Sequence, residues 1–244
     1  MNVEHRDLTG TVVAVTGATA GIGLALTRQL AQAGARVAVS GRRRDRLEAL
    51  AAELGDAVLP VPGDVCDPAA SEDLMEQAIQ RWGRLDSVVA NAGVGRYGGI
   101  LDSTDAELAS MIDTNLAGTV WAVRAGVRRM LKQGEGGDVV IVSSVAGLRG
   151  GADEAVYAAT KFGQVGLAGA LDRELREHGI RVTAICPAGV ATEFAMGTGR
   201  TPDDPQLDDY MRAEDVSDAI MTTLHQPRRV RTTLWSLWSM GQGS

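Results

Sequence analysis

Short apolar runs alternate along this chain with stretches in which apolar residues recur every three or four positions. "TVVAVT" (11–16) is apolar throughout, as a strand covered on both faces must be. Ile22, Ala25, Leu26, Leu30 and Ala33 follow with the spacing of one helix face. "RVAVS" (36–40) predicts a second strand, and Leu47, Leu50, Ala51 and Leu54 a second amphipathic helix. Further strands are predicted at 57–65, 85–91, 138–144, 180–187 and 230–235. Helices are predicted over about 68–82, 104–132, 154–178 and 213–225. This alternation predicts an α/β chain with one doubly wound parallel sheet of about seven strands and helices on both faces. No linker or repeat divides it, so a single domain over 1–244 is expected. Gly197, Gly199, Pro202 and Pro205 interrupt the pattern. The segment around 193–212 is therefore expected to form a lid.

Composition narrows the class. Of 244 residues, 45% are apolar and 23% charged, which suits a large buried core. The formal net charge is −7 and no basic stripe stands out, so no nucleic-acid partner is expected. The first residues lack the apolar core of a signal peptide, and no apolar run is long enough to span a membrane. Cys66 and Cys186 have neither metal-ligand nor disulfide spacing, and His5, His178 and His225 are scattered. A cytoplasmic protein with reduced thiols and no metal is expected.

Candidate chemistry lies where strands end. "TGATAGIG" (16–23) sits between the first strand and first helix. Gly17, Gly21 and Gly23, with Thr19 and Ile22 among them, would let backbone approach a pyrophosphate at a helix N-terminus. The spacing is G-x-x-x-G-x-G, and a plain glycine turn is the alternative. After the second strand, Gly41 stands where an NAD-preferring fold places an acid, and Arg42 and Arg43 follow. An arginine there would pair with a 2′-phosphate and points to NADP(H); alternatively, these residues only solvate the next helix. Asp64, beside Val65 in "GDV", could accept from an adenine amino group or cap a turn. Asn91, Ala92 and Gly93 in "ANAG" could bring backbone to a cofactor or form an ordinary turn.

Tyr157 and Lys161 lie one helical turn apart, and Ser144 ends the fifth strand thirteen residues before Tyr157. A tyrosine-lysine pair at this spacing is by itself usually a surface pair. With a strand-end serine and the glycine turn, it becomes a candidate site. Tyr157 would give a proton to a carbonyl oxygen held by Ser144, and the Lys161 ammonium would lower the tyrosine pKa from its usual value near 10.

"TGATAGIG", "GDV", "ANAG", "TN" (114–115), "SS" (143–144), "YAATK" (157–161) and "CPAGVAT" (186–192) occur in an order that resembles the short-chain dehydrogenase/reductase family, in its compact branch. The resemblance spans essentially the whole chain and implies a Rossmann-type fold. It implies a tetrad of Asn115, Ser144, Tyr157 and Lys161, with Asn115 holding a water that relays protons from Lys161 to solvent. It also implies cofactor contacts by Lys161 at the nicotinamide ribose and by the run Pro187, Gly189, Val190 and Thr192 around the nicotinamide. Ala188 departs from the family's usual glycine, and Ala20 from the basic residue common in NADP-preferring members.

The resemblance implies a small ketone or secondary alcohol as substrate. Phe194, Met196, Tyr210 and Met211 could contact it or pack the lid, and Arg96, Arg149 and Glu154 are expected near the pocket edge. No cluster of cations announces an anionic substrate. Relatives pair two long helices into dimers and use the last strand in tetramers, so a homotetramer or homodimer is expected. An NADP(H)-binding regulatory or scaffold protein is the rival from another class; a dehydratase or epimerase is the rival enzyme.

Overall fold

The computed structural model describes residues 5–243. Seven strands form one sheet in the order β3-β2-β1-β4-β5-β6-β7, and every neighbouring pair is parallel. They are β1 (Val12–Thr16), β2 (Arg36–Gly41), β3 (Val58–Pro62), β4 (Ser87–Ala90), β5 (Gly137–Val142), β6 (Ile180–Pro187) and β7 (Leu234–Leu237). The helices are α1 (Gly21–Gln32), α2 (Arg44–Leu54), α3 (Pro68–Trp82), α4 (Asp105–Met111), α5 (Gly118–Gln133), α6 (Ala155–Leu175) and α7 (Ala213–His225).

Side chains alternate across a strand, so one apolar run feeds two cores. Val12 and Ala14 of β1 face Leu74, Met75, Ala122 and Met130 from α3 and α5. Val13 and Val15 face Leu26 and Leu30 of α1 and Ile220 and Leu224 of α7. Strand order reverses between β1 and β4, which opens a crevice at their carboxyl ends, where ligands bind in such sheets.

Several boundaries differ from the sequence expectation. The helix expected over 104–132 is interrupted by a π turn at Ile112–Ala117, between α4 and α5. The helix expected to 178 ends at Leu175 and continues as a 3₁₀ turn. The last strand is Leu234–Leu237 rather than 230–235. The carbonyls of Val230 and Thr232 accept from the side chains of Arg181 and Thr183, so backbone pairing with β6 begins later. β3 stops at Pro62 and begins at Val58, because Gly55–Ala57 forms a 3₁₀ turn and the Asp64 carboxylate accepts from Cys66 N.

Candidate active site

The crevice is a cavity of about 940 Å³. Every residue singled out from the sequence as cofactor-binding or catalytic lines it, except Gly23 and Asn115. Gly17 and Gly21 hold φ of +69° and +52°, where a side chain would be strained. A Cβ on Gly17 would lie 2.7 Å from Ala92 Cα, so the turn and the β4 end are in backbone contact. Asn91 binds them together: its Nδ2 donates to Thr16 O at 3.0 Å and to Gly17 O at 3.1 Å. Gly23 lies behind this turn, where a Cβ would strike Gly17 O and the Asn91 side chain. Its missing side chain lets the start of α1 lie close against the turn.

At the β2 end, Arg43 donates to Thr19 Oγ1 at 2.8 Å and pairs with Glu193 at 2.8 Å. Arg46 also pairs with Glu193 at 2.8 Å. Arg42 is exposed in the crevice and forms no ion pair among the described residues. This crevice fits a dinucleotide: glycines clear room for a pyrophosphate at the start of α1, and an unpaired guanidinium stands at its β2 end. Ala188 avoids a positive φ, so the departure from glycine is accommodated without strain.

Ser144 follows β5, donating to Pro187 O at 3.3 Å and accepting from Ala146 N at 3.1 Å. Tyr157 and Lys161, on α6, are 6% and 4% exposed. Burial pushes the Tyr157 phenol above its ordinary pKa; Tyr97 adds to the shift, and Ser144 and Arg200 oppose it. Burial lowers Lys161 to about 8. The Lys161 ammonium lies 5.6 Å from the Tyr157 ring centroid and is hydrogen-bonded elsewhere, to Val142 O at 3.1 Å and Gln164 Oε1 at 3.0 Å. In the chain by itself, desolvation therefore outweighs the depression of the tyrosine pKa expected from Lys161.

Asn115, in the π turn, is fully buried. Its side chain accepts from Val94 N at 2.8 Å and donates to Val94 O at 2.9 Å and Thr160 Oγ1 at 3.1 Å. Its carbonyl accepts from Thr119 Oγ1 at 2.7 Å and Gln164 Nε2 at 2.6 Å. Gln164 thus spans the gap between Asn115 and Lys161 with its own amide. The sequence reading missed Gln164; a polar residue one turn after Lys161, on a helix rich in Ala and Gly, was the available signal.

The segment expected to form a lid begins at Glu193. Thr198 Oγ1 donates to Gly95 O at 2.8 Å, and Tyr97 N donates to Thr198 O at 2.9 Å. Phe194, Met196 and Tyr210 line the cavity. Met211 packs into the core with Val216 and Ile220 instead. Arg149 and Glu154 also line the cavity, whereas Arg96 is outside that lining, paired with Glu107 at 2.9 Å. Among the described residues no group of His, Cys, Asp or Glu could hold a metal, and no helix is long and apolar enough to cross a membrane.

The sequence pattern of a family described as short chain dehydrogenase matches residues 11–203. An L-rhamnose-1-dehydrogenase of Scheffersomyces stipitis is 35% identical over 192 residues, covering 76% of this chain and 74% of that protein. An alcohol dehydrogenase of the archaeon Thermococcus sibiricus, solved with 5-hydroxy-NADP, superposes with a TM-score of 0.87 at 29% identity, over 96% of this chain and 98% of its own. A short-chain dehydrogenase/reductase of Burkholderia phymatum, solved with NAD, gives a TM-score of 0.84 at 26% identity, over 94% and 90%. With the glycine turn, the crevice and the Ser144–Tyr157–Lys161 grouping already placed on a Rossmann-type sheet, the chain belongs to the short-chain dehydrogenase/reductase family of oxidoreductases.

Proposed function

We propose that this oxidoreductase transfers a hydride between NADP(H) and a ketone or secondary alcohol. The observation that carries the choice of nucleotide is Arg42. It is exposed in the crevice with no acidic partner among the described residues, next to Gly41, where an acid would have repelled a 2′-phosphate. Arg43 would have to be shared with Glu193. The structural relatives solved with NADP- and NAD-type nucleotides support a nicotinamide dinucleotide, and Arg42 favours the phosphorylated form.

The nucleotide, when bound, supplies or accepts the hydride. The chain's own residues handle the oxygen. Ser144 and Tyr157 share the crevice wall, where the serine hydroxyl donates to the substrate oxygen and the tyrosine gives or takes its proton. A buried phenol with a raised pKa stays protonated, which suits a donor in the reducing direction. Lys161 holds the ribose and keeps a positive charge near the tyrosine. The rings of Tyr97 and Phe194, 5.9 and 5.7 Å from that of Tyr157, help exclude water from the reacting oxygen.

The test is oxidation of NADPH and NADH against a panel of ketones and aldehydes, with wild type, Tyr157→Phe and Arg42→Ala. Tyr157→Phe is expected to lose about 10²–10⁴-fold in kcat while still binding nucleotide. Arg42→Ala is expected to lose about tenfold in NADPH affinity with little change for NADH. Nucleotide binding without turnover on any carbonyl would favour a regulatory protein. Preference for NADH in wild type would overturn the role given to Arg42.

A further inference from the structure

We propose that the substrate of this site carries a carboxylate, making it an oxo acid or hydroxy acid, and that Arg200 receives that carboxylate. The proposal rests on the hydride-transfer reading and adds the substrate class. Arg200 comes from the lid and lines the same crevice as Tyr157. Its guanidinium carbon lies 5.0 Å from the Tyr210 ring centroid and 5.8 Å from those of Tyr97 and Phe194. Tyr97 and Phe194 are also the rings that pack on Tyr157. The cation is thus one ring away from the tyrosine that would protonate the substrate oxygen.

Arg200 forms no ion pair among the described residues, unlike its neighbours in the chain's wider charge pattern: Arg43 and Arg46 pair with Glu193, and Arg96 with Glu107. Its Nη1 donates to Val190 O at 3.0 Å, which fixes the side chain without neutralising it. The acids at this end of the crevice have other tasks. Glu154 accepts from Gly151 N at 2.7 Å, and Asp204 from Gln206 N at 2.9 Å. The guanidinium has five N–H donors; Val190 O and the Tyr97 hydroxyl engage part of them, and the rest remain for a planar carboxylate. The surrounding rings lower the local dielectric, so an anion there is attracted more strongly than in water. As a lid fastener alone, a neutral side chain would fill the same ring-lined space with no charge to desolvate.

The sequence contains no run of cations that announces this. Arg200 and Tyr97 are about a hundred residues apart, and only the lid's bonds to Gly95 and Tyr97 bring them together.

The experiment compares kcat/KM for oxo acids of increasing chain length and for their ethyl esters, with NADPH and with NADH. Wild type, Arg200→Lys and Arg200→Gln are assayed together. Wild type is expected to favour an acid over its ester by about 10–100-fold, mainly through KM. In Arg200→Gln that ratio should fall to near one, and Arg200→Lys should keep part of it. Because the ratio is taken on one protein sample, loss of folded enzyme cancels. Equal turnover of acid and ester by wild type would overturn the proposal while leaving the reductase reading standing. A loss in Arg200→Gln that is the same for acid and ester would also overturn it, and would make Arg200 a lid fastener. No turnover of any compound with either nucleotide would instead defeat the hydride-transfer reading, and the proposal with it.

Discussion

Lys161 keeps a charged head at 4% exposure because it has two fixed acceptors, the Val142 carbonyl and the Gln164 amide oxygen. Gln164 cannot turn its amide over, since its Nε2 is held by Asn115 O and Thr119 Oγ1 at 2.6 and 2.8 Å. Burial still brings Lys161 down to about 8, so the ammonium is present below that pH and lost above it. Nucleotide affinity is therefore expected to fall as pH rises through about 8, which a titration of binding by fluorescence at several pH values would show. Gln164→Met removes one acceptor while keeping the volume. The fall is then expected to begin at lower pH than in wild type, and an unchanged profile would remove Gln164 from any part in positioning Lys161. The Tyr157–Lys161 spacing was legible in the sequence. That an amide on the same helix would take the ammonium was not, because the contact depends on how the π turn presents Asn115.

At the scale of elements, the β5 and β6 starts are tied by one buried acid. Asp138 is 2% exposed and accepts from Arg181 at 2.6 Å, Arg6 at 2.8 Å and Arg228 at 3.2 Å. These arginines come from β6, from the N-terminal segment and from the segment after α7. Arg181 is itself 6% exposed, so removing the acid leaves a buried cation without its counter-charge. Asp138→Asn is expected to cost about 3–5 kcal/mol in urea unfolding. A loss within a few tenths would show that the cluster is solvated. The same region explains the misplaced last strand. Arg181 and Thr183 reach out to the carbonyls of residues 230 and 232, and no local pattern in "VRTTLW" encodes that capture. The π turn was missed for a related reason. Its residues continue the helical spacing, and the wide turn is fixed by Asn115 bonding Val94 across the chain.

For the whole molecule, two groups among the exposed apolar side chains bear on assembly. Ile112 and Phe162, beside α5 and on α6, are 46% and 47% exposed. Leu234 on edge strand β7 is 40% exposed, and Met240 beyond it is fully so. Patches of this kind commonly mark association. We expect the chain to assemble through them, as a tetramer using both or a dimer using one. Light scattering at micromolar concentration should give a multiple of 25.6 kDa, and Phe162→Asp should lower it. A wild-type monomer would defeat this expectation.

The sequence by itself determined the sheet and the identity of the crevice. Apolar runs long enough for buried strands, helix-spaced repeats between them and glycines at the first strand end are local signals, and β-α alternation leaves few ways to wind them. The Ser144, Tyr157 and Lys161 set was visible for the same reason: each occupies a fixed offset from a strand end or a helical turn. Only the tertiary structure decided what surrounds that set. Gln164 on Asn115, Glu193 on Arg43 and Arg46, and Arg200 among Tyr97, Phe194 and Tyr210 are contacts between segments distant in the fold's order. Their partners lie on separate turns of the chain, and only packing of the 193–212 segment and the helices onto the crevice sets which side chain meets which.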